Sequence, residues 1–193
     1  DILFCRTQYP LSDEVRQKLA LFTSVSPNAV IQGLDAKSIY EVPLLLQKEH
    51  LAGIVMEKLK LENVASDTTE WEQFVHRILN PEDEITIVVA GKYTAMVDAY
   101  KSISESFVHA GVDNRCKVNV EFVEAEDLDS DSVLESILGH AHGILIPGGF
   151  GHRGIEGKIR AAQYARENKV PFFGLCLGLQ VAVIEFARNV LGL

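Results

Sequence analysis

The chain has 193 residues, of which 47% are hydrophobic and 23% charged, a balance typical of globular domains rather than of disordered or fibrous chains. Its 18 basic and 27 acidic residues leave a net charge of −9, and no basic run interrupts the acidic background. The length and composition also exclude a small disulfide scaffold. The acidic charge argues against nucleic acids as partners, because their phosphate backbone attracts basic surfaces.

The first sixty residues predict the end of an α/β unit. A strand opens the chain, a helix is expected over residues 13–22, a short strand over 30–31 and a second helix over 44–59. Two strands are too few to close a sheet. We therefore expect residues 1–60 to be the last part of a larger domain.

Residues 61–83 are predicted to be a linker between two domains. They contain one short amphipathic helix, which residues 67–69 would cap and Asn80-Pro81 would end. The second domain is expected to begin at residue 84.

From residue 84 onward, strands and helices alternate. Strands are predicted at 84–90, 117–123, 143–147 and 170–174, and helices at 100–111, with Gly111 closing the first, 130–138, 155–167 and 181–190. Because the second strand alternates polar and apolar residues, it is expected near an edge. This order predicts an α/β domain over residues 84–193 with a parallel, doubly wound, flavodoxin-like sheet.

The cysteines indicate a reduced, cytoplasmic protein. Cys5, Cys116 and Cys176 form no C-x-x-C pair and are odd in number, so neither a metal site nor a disulfide framework is expected. No signal peptide and no apolar run long enough to cross a bilayer is found, so no membrane association is expected. The chain opens within a strand and stops as a helix ends, and we expect it to be a segment of a longer polypeptide.

The strongest chemical signal is Cys176, between Gly174 and Gly178 at the junction of a strand and a helix. A nucleophile on such a turn projects above the sheet, and flanking glycines let neighbouring backbone approach closely. The helix N-terminus beyond it supplies free N–H groups and a positive dipole, which favour a thiolate. A lone cysteine is more often a small buried hydrophobe, but glycines on both sides favour the nucleophile.

A glycine-rich turn, Pro-Gly-Gly-Phe-Gly at residues 147–151, follows the strand expected to lie beside the Cys176 strand. Ligands of such sheets bind at the carboxyl ends of the strands, and glycine N–H groups there can hold a developing oxyanion. An ordinary glycine turn is the alternative. Arg153, just beyond, either contacts an anion or is a solvated surface charge, and the sequence does not separate the two.

A cysteine that performs acyl transfer needs a base, usually a histidine oriented by a carboxylate. Of the six histidines, only His152 lies near the glycine turn, and no carboxylate is placed to orient it. The base is therefore expected to lie outside this chain. Gly91-Lys92-Tyr93 also follows a strand but lacks the spacing of a phosphate-binding loop, so Lys92 is interpreted as a loop residue near the site.

The motifs Gly174-x-Cys176-x-Gly178-x-Gln180 and Pro-Gly-Gly-Phe-Gly together resemble class I, triad-type glutamine amidotransferase domains. Segments at residues 38–43, 91–102 and 147–158 narrow the resemblance to the CTP synthase family. The resemblance covers essentially the whole chain. It implies the end of a synthetase (amidoligase) domain at 1–60, a linker at 61–83 and the N-terminal part of a glutaminase domain at 84–193.

The family resemblance implies an ATP-dependent ligase that aminates UTP to CTP with ammonia from glutamine. Cys176 would attack the glutamine carboxamide and form a glutamyl thioester, while backbone N–H groups of Gly149 and Leu177 hold the oxyanion. The glutamine pocket would be formed by Gly149, Leu177, Gly178, Leu179 and Gln180.

On the nucleotide side, the resemblance places Arg6, Asp35 and Ala36 by ATP. It assigns Lys18 to the UTP site, which CTP shares as feedback inhibitor, although Lys18 would be solvated on its helix in any case. Mg²⁺ would accompany ATP at sites mostly outside this chain, within which no metal ligand is expected. The full-length protein is expected to be a homotetramer.

A segment that the family links to activation by GTP contains Arg153, Gly154 and Glu156. The family's phosphate loop and metal-binding carboxylates would precede residue 1, and its His-x-Glu pair would follow residue 193. A missing acid–base group costs about 100- to 10,000-fold in rate, so the chain alone is expected to make no CTP.

Two alternative functions stay open. The chain could be a non-catalytic homologue that binds partners or glutamine, or a thiol hydrolase of the wider superfamily. The motifs outside the elbow count against the thiol hydrolase.

Overall fold

The chain folds into two compact units, Asp1–Leu79 and Asn80–Leu193, in a computed structural model that describes residues 1–62, 64–92 and 97–193. Within these ranges, no helix has both the length and the apolar character needed to cross a membrane. The limits 1–60, 61–83 and 84–193 for domains and linker stay a prediction.

The first unit contains a two-stranded parallel sheet, in which Cys5 lies opposite Gln32. Its elements in chain order are β1 (Leu3–Thr7), α1 (Asp13–Thr23), β2 (Val30–Leu34), α2 (Val42–Lys48), α3 (Leu51–Leu59) and α4 (Thr69–Leu79). The start of α4 is stabilised as its sequence predicts, because the Asp67 carboxylate accepts hydrogen bonds from the Thr69 N–H at 3.0 Å and the Thr69 hydroxyl at 2.6 Å.

The single helix predicted over residues 44–59 is wrong, since two helices, α2 and α3, occupy this stretch. They are separated at His50, whose φ of 53° lies in the left-handed region and interrupts the helix. The preceding Glu49 directs its carboxylate to the Arg16 guanidinium, at 2.9 and 3.1 Å, and to the Gln32 side chain at 2.9 Å. These partners lie 33 and 17 residues away in sequence, so helical periodicity carries no sign of the break.

The second unit is built on a four-stranded parallel sheet of order β4-β3-β5-β6. Its elements are β3 (Asp83–Gly91), α5 (Lys101–Asp113), β4 (Cys116–Glu124), α6 (Asp131–Leu138), β5 (Gly143–Ile146), α7 (Ile155–Glu167), β6 (Phe172–Gly174) and α8 (Leu177–Phe186). The predicted α/β class and parallel sheet are confirmed, and β4 lies at an edge as its alternating pattern indicates. This strand order is that of flavodoxin-like sheets.

The core of the second unit lies between the central strands and their covering helices. Its buried side chains are Val88, Ala90, Ile144 and Ile146 on the strands, with Leu134, Leu138, Ile159, Ala162 and Val181 on the helices. Val89 and Leu145, which lie between them on the strands, are buried too, so β3 and β5 are the continuous apolar runs from which the sequence predicts buried strands. The helical residues recur every three to four positions, as an amphipathic helix requires.

Two helix limits in the second unit differ from expectation. Gly111 does not close α5, which runs on to Asp113; a Cβ on this buried glycine would lie 2.5 Å from the Cys116 carbonyl oxygen, so glycine serves close packing there. The last helix, predicted over residues 181–190, begins at Leu177 and ends at Phe186, with a π-helical turn after it.

The Glu49 cluster generates a stability prediction for the first unit. Burial raises the pKa of the Glu49 carboxyl, but hydrogen bonds from Arg16 and Gln32 outweigh burial and hold that pKa below its usual value. Glu49→Gln is therefore expected to lower the free energy of unfolding by about 1–3 kcal/mol at neutral pH. Because the native pKa is lowered, the difference between wild type and variant shrinks as the pH falls through it.

Urea unfolding followed by the fluorescence of Trp71, the only tryptophan of the chain, measures this effect. Trp71 packs against Tyr40 and Phe74 and so reports on the first unit. Asp35→Asn is the matched control, because the Arg6–Asp35 pair is exposed and such pairs contribute little. Equal losses in the two variants, or a difference that grows in acid, would contradict the prediction.

Candidate functional site

The connection between β6 and α8 places Cys176 on a strained turn. Its φ of 51° and ψ of −102° lie outside the regions that non-glycine residues ordinarily adopt, and its side chain is exposed. Hydrogen bonds hold the turn on both sides: the Leu175 N–H donates to the Ile146 carbonyl at 2.9 Å, and the Gly178 N–H donates to the Leu175 carbonyl at 2.8 Å. Cys176 is thus an exposed thiol on an elbow and not a small buried hydrophobe.

The two flanking glycines make this turn possible. A Cβ on Gly174 would lie 2.4 Å from the carbonyl carbon of Gly178, and a Cβ on Gly178 would lie 2.2 Å from the carbonyl oxygen of Ile146. In both cases the Cβ would meet a backbone atom, so no side-chain rotation could relieve the contact. The first turn of α8 consequently rests directly on the end of β5.

One N–H group at the start of α8 has no hydrogen-bond partner among the described residues. The N–H groups of Leu179 and Gln180 both donate to the Cys176 carbonyl, at 3.1 and 3.2 Å. The Leu177 N–H forms no hydrogen bond within the described parts of the chain. A helix start of this kind favours a negative charge beside it.

The glycine turn after β5 lies against the elbow. A Cβ on Gly148 would be 3.6 Å from the Cβ of Cys176, and one on Gly149 would be 3.7 Å from Cδ2 of Leu177. The Lys92 ammonium at the end of β3 donates to the Phe150 carbonyl at 2.9 Å and so fixes the turn from the other side. The structure thereby brings together Cys176, Gly149 and Leu177, which are the predicted nucleophile and the two predicted oxyanion donors.

Lys158 is a charged residue of this region that sequence reasoning missed. It is only 1% exposed, and its Nζ would lie 3.8 Å from a Cβ on Gly149. Burial lowers the pKa of its ammonium, and the positive charge of Lys92 lowers it further. A signal was present in the sequence, since Lys158 shares the helical face of the buried Ala161, Ala162 and Ala165.

No imidazole within the described ranges hydrogen-bonds the Cys176 sulfur. His152 uses only its carbonyl, which accepts from the Ile155 N–H at 3.3 Å, while His140 pairs with Glu121 at 2.8 Å. The expectation that the general base lies outside this chain stays a prediction.

The predicted nucleotide residues lie in the first unit, where two of them meet. The Nε and Nη2 atoms of Arg6, near the end of β1, donate to one carboxylate oxygen of Asp35, just after β2, at 3.1 and 2.8 Å. Ala36 follows Asp35 and is half-buried. Lys18 is exposed on α1 and forms no hydrogen bond or ion pair within the described residues.

The segment expected to respond to GTP lies at the start of α7, with Arg153 and Gly154 just before the helix and Glu156 in its first turn. Arg153 lies 3.0 Å from the Glu126 carboxylate, Gly154 has a φ of 71° that suits glycine, and Glu156 lies 3.2 Å from Arg188. Of the other residues in the family motifs, Tyr93 lies outside the described ranges. Within those ranges, no three His, Cys, Asp or Glu side chains converge as a metal site requires.

Comparison with known proteins assigns the chain to a family. The family model of glutamine amidotransferase class-I matches residues 95–192, and that of the CTP synthase N-terminus matches residues 1–61. The chain therefore belongs to the class-I glutamine amidotransferase family. Within it, the resemblance to CTP synthases predicted from the motifs is confirmed by relatives of that name.

Two of these relatives match the whole chain, one from Cytophaga hutchinsonii at 54% identity and one from Methanocaldococcus jannaschii at 52%. The chain spans 36% and 37% of their respective lengths. Among solved structures, the glutaminase domain of Trypanosoma brucei CTPS with bound acivicin is 41% identical with a TM-score of 0.52. That match covers 56% of this chain and 42% of the other.

The close approach of α8 to β5 generates a prediction at Gly178. Gly178→Ala is expected to lower the free energy of unfolding by about 1–3 kcal/mol, because the new methyl group would push the helix off the Ile146 carbonyl. Urea unfolding followed by far-UV circular dichroism measures it.

Gly148→Ala is the matched control for this prediction. Its Cβ would meet the nearest atom at 3.6 Å, an ordinary van der Waals contact, so the expected change in stability is within about 0.5 kcal/mol. If Gly178→Ala proves as stable as Gly148→Ala, the glycine is not required for the approach of the helix.

Proposed function

We propose that this chain supplies the nucleophile and the oxyanion donors of the glutaminase site in a CTP synthase, together with the end of its synthetase domain at residues 1–60 and the linker at 61–83. The whole polypeptide would convert UTP to CTP with ATP and with ammonia from glutamine. One observation carries the proposal: the glycine turn after β5 packs against an exposed cysteine on a strained strand-to-helix elbow.

The chemistry begins at the Cys176 sulfur. The thiolate attacks the carboxamide carbon of glutamine, and the S–C bond forms as the C=O π electrons move onto oxygen. The N–H groups of Gly149 and Leu177 would donate to that oxygen, where negative charge develops. Collapse of the adduct expels the nitrogen, which leaves as ammonia once protonated, and water then hydrolyses the glutamyl thioester to glutamate and free thiol.

The glutamine pocket would continue along the start of α8. Leu179 and Gln180 are exposed there, next to the buried Gly178. We propose that this surface, with Gly149 and Leu177, contacts the bound amino acid. Glutamine is proposed as the substrate because the family model that matches this part of the chain is that of glutamine amidotransferases.

The nucleotide part of the proposal rests on the first unit. Arg6, held by Asp35 at the carboxyl ends of two parallel strands, and the adjoining Ala36 are proposed to lie by ATP, as expected of ligands of such sheets. Lys18 is proposed for the UTP site and for feedback inhibition by CTP. Mg²⁺ is proposed to accompany ATP and to be held mostly by other parts of the whole polypeptide, as the family resemblance implies.

Regulation and assembly complete the proposal. Arg153, Gly154 and Glu156 are proposed for the response to GTP as allosteric activator, with Arg153 oriented by Glu126. The full-length protein is proposed to be a cytoplasmic homotetramer. The family resemblance supports the response to GTP, the homotetramer and the cytoplasmic location.

Acivicin, a compound bound by the Trypanosoma brucei glutaminase domain, provides the test. We expect it to modify Cys176 in preference to Cys5 and Cys116, which are both half-buried, and we expect glutamine to protect Cys176. Mass spectrometry of the three cysteine peptides measures the selectivity. The control is iodoacetamide, which needs only an accessible thiol. If Cys176 reacts with iodoacetamide while acivicin leaves it unmodified, the elbow lacks a glutamine pocket and the non-catalytic alternative is favoured.

A further inference from the structure

Lys158 is buried in a way that stability does not explain. The side chain is 1% exposed, yet its ammonium forms no hydrogen bond or ion pair within the described parts of the chain. A buried charge without a partner destabilises the folded state, whereas an apolar side chain of similar volume would not. The packing around α7 therefore gives no reason for a lysine at this position.

The buried ammonium faces the glycine turn. Its Nζ lies within van der Waals distance, 3.8 Å, of the place where a Cβ on Gly149 would be. The same place is 3.7 Å from Cδ2 of Leu177, so the Lys158 ammonium and the Leu177 side chain both lie near the side of Gly149 on which a Cβ would project. A larger residue than glycine would fill the space between them.

A second cation acts on the same turn. Lys92 is half-buried, and its ammonium donates to the Phe150 carbonyl at 2.9 Å. The positive charges of Lys92 and Lys158 are close enough for the former to lower the pKa of the latter. Two ammonium groups that repel each other near the Leu177 N–H, which has no partner among the described residues, form a site that an anionic oxygen would stabilise.

We propose that Lys158 is a positioning residue of the glutaminase site, whose ammonium stabilises the negative oxygen held by the N–H groups of Gly149 and Leu177. The inference rests on the proposed function of Cys176. Lys158 does not touch the substrate, and its charge acts on the oxygen from the far side of the glycine turn. Because the surroundings are buried, its charge is screened less than a surface charge would be.

The chloromethyl ketone analogue of glutamine tests this role. The Cys176 thiolate adds to the carbonyl carbon, and the ketone oxygen becomes an alkoxide in the position of the oxyanion. The sulfur then displaces chloride from the methylene carbon, and its first S–C bond breaks as the C=O bond re-forms. Iodoacetamide alkylates the same sulfur by direct displacement and places no charge on an oxygen in that position. The ratio of the two rates therefore reports on stabilisation of the oxyanion.

Lys158→Met keeps the length and the apolar stem of the side chain and removes the charge. We expect the second-order rate of Cys176 modification by the chloromethyl ketone to fall about tenfold, less than the loss of a directly contacting donor, and the iodoacetamide rate to change less than about twofold. We also expect the variant to melt no lower than wild type, because an unpaired buried charge is removed. Lys169→Met is the control, since it removes an exposed positive charge from the same unit.

Three results would overturn the inference, and they are distinguishable. Equal ketone rates for wild type and Lys158→Met mean that the charge does not act on the oxyanion. A parallel fall in both rates means that Lys158 only maintains the shape of the elbow. If glutamine fails to slow ketone modification of wild-type Cys176, the proposed glutaminase site itself is absent, and the inference fails with it.

Discussion

The contact between the first turn of α8 and the end of β5 is the constraint on which the second unit depends. At Gly178 the helix backbone lies so close to the Ile146 carbonyl that no side chain fits between them. To reach that position directly from β6, the chain must turn within Leu175 and Cys176, and the positive φ of Cys176 is the cost of that turn. The strain, the exposure of the thiol and the free N–H of Leu177 all follow from this one approach.

The glycine turn, the half-buried Lys92 and the buried Lys158 form a second layer around this elbow. Gly148 and Gly149 lie against Cys176 and Leu177, and Lys92 and Lys158 hold or approach the turn from β3 and α7. Four elements of the sheet and its helices thus converge where parallel strands end, the place at which ligands of α/β sheets bind. Strands and helices of the sheet hold both the elbow and the glycine turn, so the proposed donors would be positioned before any ligand arrives.

The sequence predicts most of this fold because its patterns are local. Continuous apolar, β-branched runs mark β3 and β5, a period of three to four marks α6 and α7, and the glycines around Cys176 mark the elbow. The break at His50 escapes prediction because it accompanies contacts of Glu49 with distant residues. The start of α8 escapes because Leu-Gly-Leu-Gln carries no ordinary helix-start signal.

Lys158 shows a different limit of sequence reasoning. A lysine on an amphipathic helix is ordinarily solvated, and helical spacing alone places it on the buried face without saying what its charge meets. Only the structure shows that the ammonium ends beside Gly149. For the predicted nucleotide residues, the structure shows that Arg6 contacts Asp35. The prediction that ATP binds beside them comes from the family resemblance.

The most direct test of the account uses a full-length polypeptide that contains this chain, with Cys176→Ala. If Cys176 is the nucleophile that releases ammonia from glutamine, the variant loses CTP formation with glutamine as nitrogen donor. It keeps CTP formation when ammonium chloride is supplied instead, because the synthetase reaction does not use the thiol. CTP formation from glutamine that persists at the wild-type rate would contradict the assignment of Cys176.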